Sequence, residues 1–325
     1  MTSRLRHAIV LTAGFGTRLR PLTNVRAKPA IPLAGTPMIE RIIGSLVSHG
    51  VLDLVLNLHY RPESIASIVG DGHHLGARVR YSWEQPVVLG SAGGPRQAAP
   101  ILGVDPFLVV NGDTLTDVDV SALADAHERS GALVTLALTP NAEPDRYGGV
   151  RLGPDGIVTG FARRGPDACG SFHFVGIQAT SVAAFHGVPL GAVANSVGEV
   201  YDRLLLTRPG SIRGFVCEAR FWDIGSIVDY WTTSIVFAAR ELLPAGAAGS
   251  AVTGTLGIGT GTSIDPTASV RQSILWDRVT VSAHARLERC IVTDDVQVPT
   301  GACYTDALVT AAPNGSLHVS PRPLA

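Results

Sequence analysis

Three observations predict an α/β protein, a Rossmann-like open mixed sheet flanked by helices and followed by a short left-handed β-helix of hexapeptide repeats. Short apolar runs recur along the first part of the chain, amphipathic helical patterns alternate with them, and aliphatic residues return about every six positions after residue 263. The length of 325 residues exceeds one ordinary core, so one large and one smaller domain are expected.

The apolar runs lie at 7–12, 52–58, 107–110 and 133–138. Their unbroken apolar character marks strands buried on both faces of a sheet. Between them, 37–49 places Met38, Ile42, Ile43, Leu46 and Val47 on one helical face with Gly50 as the stop, and 120–130 forms a second helical pattern. Alternating strands and helices build an open α/β sheet. The character changes at Pro244-Ala-Gly-Ala-Ala-Gly-Ser250, a small-residue stretch suited to a linker. Beyond it the chain reads Ser263-Ile-Asp-Pro-Thr-Ala, Ser269-Val-Arg-Gln-Ser-Ile, Trp276-Asp-Arg-Val-Thr-Val, Ser282-Ala-His-Ala-Arg-Leu, Glu288-Arg-Cys-Ile-Val-Thr and Asp294-Asp-Val-Gln-Val-Pro. This imperfect rhythm fits a β-helix, or else a set of short antiparallel strands, and its persistence favours the coil. The expected domains are 1–243, a linker at 244–262, and repeats at 263–325.

Hydrophobic residues make up 46% of the chain, charged residues 16%, and the formal net charge is -1. Neither a nucleic-acid-binding surface nor a membrane-binding one is indicated. Cys169, Cys217, Cys290 and Cys303 are too far apart for a zinc site or a redox dithiol and read as reduced thiols. The apolar run after the basic amino end stops at Thr12, far short of a signal core, so a cytoplasmic protein is expected.

The most informative segment is Leu11-Thr-Ala-Gly-Phe-Gly-Thr-Arg-Leu-Arg-Pro-Leu-Thr23, directly after the first strand, with Lys28-Pro29 beyond. Gly14 and Gly16 allow backbone N–H groups to turn inward as an anion nest, and Arg18 adds a planar donor fork for phosphate oxygens. That set fits a triphosphate better than a simple strand-to-loop turn. No Gly-Lys-Ser/Thr closes a Walker loop, and Leu19 stands where a dinucleotide fingerprint needs its third glycine. Asp113 follows the apolar run 107–110, which places it at the carboxyl end of the sheet, where open α/β folds bind ligands. It reads as a metal ligand or as the turn-initiating Asp of Asn-Gly-Asp-Thr. Gln85 and Gly90 flank a proline loop in which Gln85 carries both a donor and an acceptor and Gly90 permits close approach of backbone, or which is a polar surface turn.

The segment 14–23 with Lys28-Pro29 resembles the signature of the nucleotide-sugar pyrophosphorylases, the sugar-1-phosphate nucleotidyltransferases. Gly35-Thr-Pro-Met-Ile39, Gly90-Ser-Ala-Gly-Gly-Pro95, Asn111-Gly-Asp113, Tyr147-Gly148 and Phe221-Trp-Asp-Ile-Gly225 follow in the same order, so the resemblance spans about residues 7–240. It is strongest to mannose-1-phosphate guanylyltransferases and N-acetylmuramate-1-phosphate uridylyltransferases. The resemblance implies nucleotide binding at Ala13, Gly14, Gly16, Thr17, Gln85, Gly90 and Ser91. It implies catalytic roles for Arg18, Lys28, Asp113 and Asp223, and sugar-phosphate binding at Asn111, Gly148 and Arg164. Asp113 and Asp223 would be the metal ligands, and two carboxylates with phosphate oxygens and water suit Mg2+.

Phe161-Ala-Arg-Arg-Gly165 departs from the Phe-x-Glu-Lys-Pro segment of many members. Arg164 can replace the lysine as a phosphate clamp, but Arg163 cannot accept hydroxyl hydrogen bonds as a carboxylate does. Alternatively this strand end is shifted and both arginines are solvated. The expected reaction joins a nucleoside triphosphate to a sugar-1-phosphate, with GTP and mannose-1-phosphate or a related sugar phosphate as the specific pair. Alternatives are uridylyl transfer to another sugar-1-phosphate, or a regulatory subunit that binds a nucleotide sugar without making it. Open coil edges predict a homo-oligomer.

Overall fold

The computed structural model describes residues 5–241, 251–312 and 315–323. The chain divides into two compact units, Met1–Gly14 with Ile39–Trp222, and Phe15–Met38 with Asp223–Ala325.

The first unit is a mixed sheet of β1 (His7–Leu11), β2 (Asp53–Leu58), β3 (Arg78–Trp83), β4 (Phe107–Asn111), β6 (Val134–Pro140), β7 (Gly149–Leu152), β8 (Val158–Ala162), β9 (Phe172–Thr180) and β10 (Ile212–Val216). A separate ribbon joins β5 (Thr114–Thr116) to β11 (Phe221–Asp223). Strand β1 lies in parallel between β2 and β4, with Ile9 opposite both Val55 and Val109. Strand β3 extends the parallel set beyond β2. Strand β9 runs antiparallel to β4 and to β6, and the sheet is therefore mixed as expected. The interior of β1 and β2 is fully buried from Ala8 to Val10 and from Leu54 to Leu56, the physical meaning of their continuous apolar runs.

Helix α1 (Met38–Ser48) buries Met38, Ile39, Ile42, Ile43 and Leu46. Helix α2 (Gly90–Leu102) contains Pro95 and Pro100 and buries the small residues Ala92, Gly93, Gly94, Ala98 and Ala99. Helix α3 (Val120–Ser130) starts where the Asp119 side chain accepts from the Ala122 N–H.

The second unit contains 15–38, α4 (Ile227–Glu241) and a stack of short parallel strands. The stack has three sides. One holds Ala251–Thr253, Ser269–Arg271, Arg286–Glu288 and Cys303–Thr305; a second holds Gly257–Ile258, Ile274–Leu275, Ile291–Val292 and Ala307–Ala311; the third holds Ser263–Ile264, Thr280–Val281 and Gln297–Val298. Partners along each side are mostly 17 residues apart, as in Val281 and Val298 or Val270 and Leu287. A coil of three hexads needs about 18, which the first turn has, as in Ala251 and Ser269, so one side of each later turn is a residue short. That deficit is why the rhythm looks imperfect in the sequence.

The coils also begin before Ser263, because Ala251–Thr253 and Gly257–Ile258 already pair with the next turn. The Gly and Thr residues around them hide the aliphatic spacing. Residues 244–250 of the expected linker lie outside the described residues. Valines, leucines and Cys290 fill the inside, and corner residues Arg278, Asp295, Gln272, Arg289 and Asp306 take positive φ.

Within this unit Arg26 is 7% exposed. Its Nε donates to Asp294 Oδ2 at 2.6 Å, its Nη2 to Asp294 Oδ1 at 2.7 Å and also to Asp277, and its guanidinium lies 5.5 Å from the Trp276 ring centroid. Trp276 Nε1 donates to Tyr230 Oη at 3.0 Å, and that hydroxyl donates to the Pro32 carbonyl at 2.7 Å. Gly35 has φ 83°, and a Cβ there would lie 2.9 Å from the Ile258 carbonyl, so the turn at 35 requires glycine. Burial pushes the Asp294 carboxyl above the usual carboxylate range, with Arg26 opposing.

Removing one partner of a buried ion pair leaves an uncompensated charge, whereas exposed pairs contribute little. Asp294→Ala takes two charge-assisted hydrogen bonds from Arg26, leaving Asp277 as its remaining carboxylate, and should lower unfolding free energy by about 1.5–3 kcal/mol. Its neighbour Asp295, paired with Arg278 in water, should cost under about 1 kcal/mol when changed to Ala. Urea denaturation of the two variants checks the contrast.

Candidate active site

At the carboxyl ends of the parallel strands, one buried network holds the loops. Thr12 N donates to Asn57 Oδ1 at 2.5 Å, the Thr12 hydroxyl donates to the Asn57 carbonyl, and Asn57 Nδ2 donates to Glu84 Oε1 at 2.6 Å. Glu84 Oε2 accepts from Leu89 N at 2.7 Å, and the residue has no exposed surface. A Cβ on Gly94 would come within 2.6 Å of that carboxylate and 2.8 Å of Asn57 Nδ2. Three strand ends, the 85–90 loop and the start of α2 are thus joined through one carboxylate. Asn57 and Glu84 are not legible as site residues in the sequence, since nothing local marks a buried Asn or Glu; only the glycine pair Gly93-Gly94 hints at a close neighbour.

Gln85 is exposed at the head of its loop, and Ala13 is buried beside Thr12. Gly90 has φ 79°, and a Cβ there would meet the Ala194 carbonyl at 2.6 Å, so its own protein backbone requires the glycine. The Ser91 hydroxyl lies 2.9 Å from Ser196 Oγ and accepts from Ser196 N at 2.9 Å. Asn111 ends β4, and Gly112 N donates to the Leu11 carbonyl at 2.9 Å. A Cβ on Gly112 would meet that oxygen at 2.4 Å, which explains the Asn-Gly-Asp order: only glycine passes the end of β1, and Asp113 emerges half-buried beyond it. Gly176, at φ 84°, lets β9 pass Asn111 and Thr114, to which a Cβ would come within 3.3 Å.

Beyond Gly176 the strand reaches His173. Its ring lies 4.2 Å from the Tyr147 centroid and 4.6 Å from that of Phe221. Burial lowers its pKa to about 4, opposed by a hydrogen bond to the Gly148 backbone and reinforced by Arg146, so it is neutral at pH 7. A Cβ on Gly148 would meet the Ala162 carbonyl at 3.0 Å and Arg164 N at 3.9 Å, which puts Gly148 beside the Arg163-Arg164 loop. Both arginine side chains are exposed.

In the second unit, Gly16 has φ 59° and opens the turn Thr17–Leu19. Thr23 Oγ1 donates to its carbonyl at 3.0 Å, and a Cβ there would meet Thr23 Cγ2 at 2.8 Å and Lys28 Cβ at 3.1 Å. The loop is therefore closed on itself, with Thr17 and Arg18 exposed and Lys28 buried at 7%. A Cβ on Gly225 would lie 3.1 Å from Arg18 Nη1 and 3.2 Å from Nη2. The Arg18 guanidinium thus rests on the glycine of Trp222-Asp-Ile-Gly225, two residues after half-buried Asp223. Among the described residues, no three His, Cys, Asp or Glu side chains gather as a metal cage.

The first unit is an open α/β sheet whose strand-end residues include half-buried Asp113, and the second carries a glycine turn with an exposed Arg18, features consistent with an α/β enzyme that handles nucleotides. Residues 7–164 match the Nucleotidyl transferase family and residues 245–305 the GlmU-like, C-terminal hexapeptide family. A mannose-1-phosphate guanylyltransferase of Mycobacterium tuberculosis is 29% identical over 87% of this chain and 83% of its own length. An N-acetylmuramate alpha-1-phosphate uridylyltransferase of Neisseria meningitidis is 36% identical over 68% of this chain and 93% of its own. The crystal structure of HddC from Yersinia pseudotuberculosis complexed with GMP-PN shares the fold at TM-score 0.62 and 23% identity, covering 72% of this chain and all of that one. The chain belongs to the nucleotidyl transferase family, as a sugar-phosphate nucleotidyltransferase. No helix among the described residues is long and apolar enough to cross a membrane.

Two outcomes follow from the buried groups. Glu84→Gln turns one acceptor into a donor facing another donor, and should cost about 1–3 kcal/mol, read as a lowered thermal midpoint. For His173 the folded pKa of about 4 lies below the ordinary 6.5, so the unfolded chain binds the proton first. Stability should fall as pH drops from 6.5 to 4, and His173→Phe should flatten denaturant midpoints across that window.

Proposed function

We propose that the protein transfers the nucleotidyl group of GTP to mannose-1-phosphate or a related sugar-1-phosphate, releasing pyrophosphate. The packing of Arg18 on Gly225 supports this reading, because it sets the arginine proposed for the triphosphate beside the segment bearing Asp223. A uridylyl transfer to another sugar-1-phosphate is the competing reading, favoured by the 36% identity to the Neisseria uridylyltransferase.

The acceptor's phosphate oxygen is already an anion and attacks the α-phosphorus without a protein base. A bond forms between that oxygen and the α-phosphorus as the bond to the bridging oxygen of pyrophosphate breaks. The protein's task is to position two mutually repelling polyanions and neutralise their charge. N–H groups of 14–17 and the Arg18 fork would bind the triphosphate, Gln85 and the 90–91 turn would meet the base, and Lys28 would reach the reacting phosphates. Asn111, Gly148 and Arg164 would hold the sugar phosphate. Asp113 and Asp223 would each offer a carboxylate to Mg2+, which commonly takes one or two carboxylates and completes its shell with phosphate oxygens and water. When bound, it would supply Lewis-acid neutralisation of phosphate charge. Presence of Arg18, Lys28, Asp113 and Asp223 together argues against a purely regulatory subunit.

Pyrophosphate release across a panel of nucleoside triphosphates and sugar-1-phosphates tests the reading, with GTP and mannose-1-phosphate expected to be the fastest pair. Asp113→Asn and Asp223→Asn should each lower kcat by about 100-fold or more with a preserved thermal transition; near wild-type turnover at limiting Mg2+ would remove that residue from the site. Sedimentation at micromolar concentration should give a mass above the 34.0 kDa of one chain, as a homo-oligomer requires.

A further inference from the structure

The corner around Tyr147 holds an unusual set of unsatisfied groups. In the β6–β9 ladder His173 stands opposite Thr139, and Asn141 lies two residues beyond Thr139 on the same face. Thr139 Oγ1, Asn141 Oδ1 and His173 Nδ1 are all buried without a hydrogen-bond partner. Buried polar atoms are nearly always paired, so three orphans on one face point to a ligand that pairs with them. Asn141 is itself fixed, since its Nδ2 donates to the Tyr147 carbonyl at 3.2 Å and its N to the Ser171 carbonyl at 3.0 Å. The His173 ring is clamped between Tyr147 and Phe221. With its other nitrogen turned to the Gly148 backbone, Nδ1 presents a lone pair.

Asn141 Oδ1 and His173 Nδ1 only accept, the Thr139 hydroxyl can do either, and none of the three is charged, so the corner favours a neutral O–H or N–H donor over phosphate. Its aromatic rings suit the C–H face of a pyranose. It lies at the ligand end of the sheet, because β9 reaches it only after passing Asn111 and Thr114 at Gly176.

We infer that His173 is a specificity-determining residue for the acceptor sugar: its Nδ1 accepts a ring hydroxyl, with Asn141 Oδ1 beside it, as the task for which Arg163 is chemically unfit. This rests on the sugar-1-phosphate reading above. It divides the acceptor between two surroundings, with the phosphate near Arg164 and the uncharged ring in the neutral corner.

The test uses the full chain as wild type, His173→Phe and His173→Leu, with mannose-1-phosphate, N-acetylmuramate-1-phosphate and glucose-1-phosphate and their nucleotides. Monodeoxy forms of the best acceptor complete the set. Both variants should raise KM for the sugar phosphate about tenfold or more while leaving KM for the nucleotide within about twofold. One deoxy acceptor, penalised by the wild type, should lose that penalty in the variants, because the missing hydroxyl is the one His173 receives. His173→Asn, which keeps an amide near the Nδ1 position, should restore part of the discrimination. An unchanged deoxy profile in the variants, or equal shifts in both KM values, overturns the assignment and leaves transferase activity standing. Wild-type failure with every substrate pair overturns the underlying reading, and this inference with it.

Discussion

The segment bearing the nucleotide motif is held in place by one buried cation. Arg26 sits eight residues after Arg18 and two before Lys28, and its guanidinium is enclosed by Asp277, Asp294 and the face of Trp276. The 3-10 turns of 17–30 are too short to fix themselves, since each closes only one or two backbone bonds. The Arg26 cluster and the Trp276–Tyr230–Pro32 chain supply what local structure lacks. Such buried ion pairs add little net stability over an apolar substitute, but they penalise every arrangement in which either charge loses its partner. Their contribution here is register: the anion loop has one seating on the coils. The carboxy-terminal repeats are therefore part of the machinery that shapes the loop.

Charge is divided between regions in the same way. Arg18 and Lys28 lie on the 14–28 segment and Arg163 and Arg164 on the exposed 163–164 loop, the two places proposed for anionic groups. The corner of Thr139, Asn141 and His173 holds only neutral groups at pH 7, and desolvation keeps the imidazole uncharged there.

Much of this is legible in the sequence, for identifiable reasons. The strands at 7–11, 53–58 and 107–111 are buried on both faces, so their apolar runs admit no other reading. Helix 120–130 has a cap and a glycine stop, and its sequence pattern and its structure share the same bounds. Gly16 is the turn residue its motif suggests, whereas Gly90 and Gly112 are forced by neighbouring carbonyls 104 and 101 positions away in the chain, at Ala194 and Leu11. The same distance problem hides Glu84 and Arg26, whose meaning depends on partners brought in by the fold. His173 is equally silent, because a lone histidine in a strand carries no local signal; only its orphaned nitrogen distinguishes it.

The 17-residue coil also limits how this protein can vary. Arg278 meets Asp295, and Arg289 meets Asp306, one turn along at the left-handed corners. Losing a single residue between them would move an interior valine outward and set arginine against a neutral neighbour at every later turn. Length in this region is consequently quantised: natural variants should add or drop whole turns, and a truncation that ends inside a turn would unravel the last complete ladder along with the partial one.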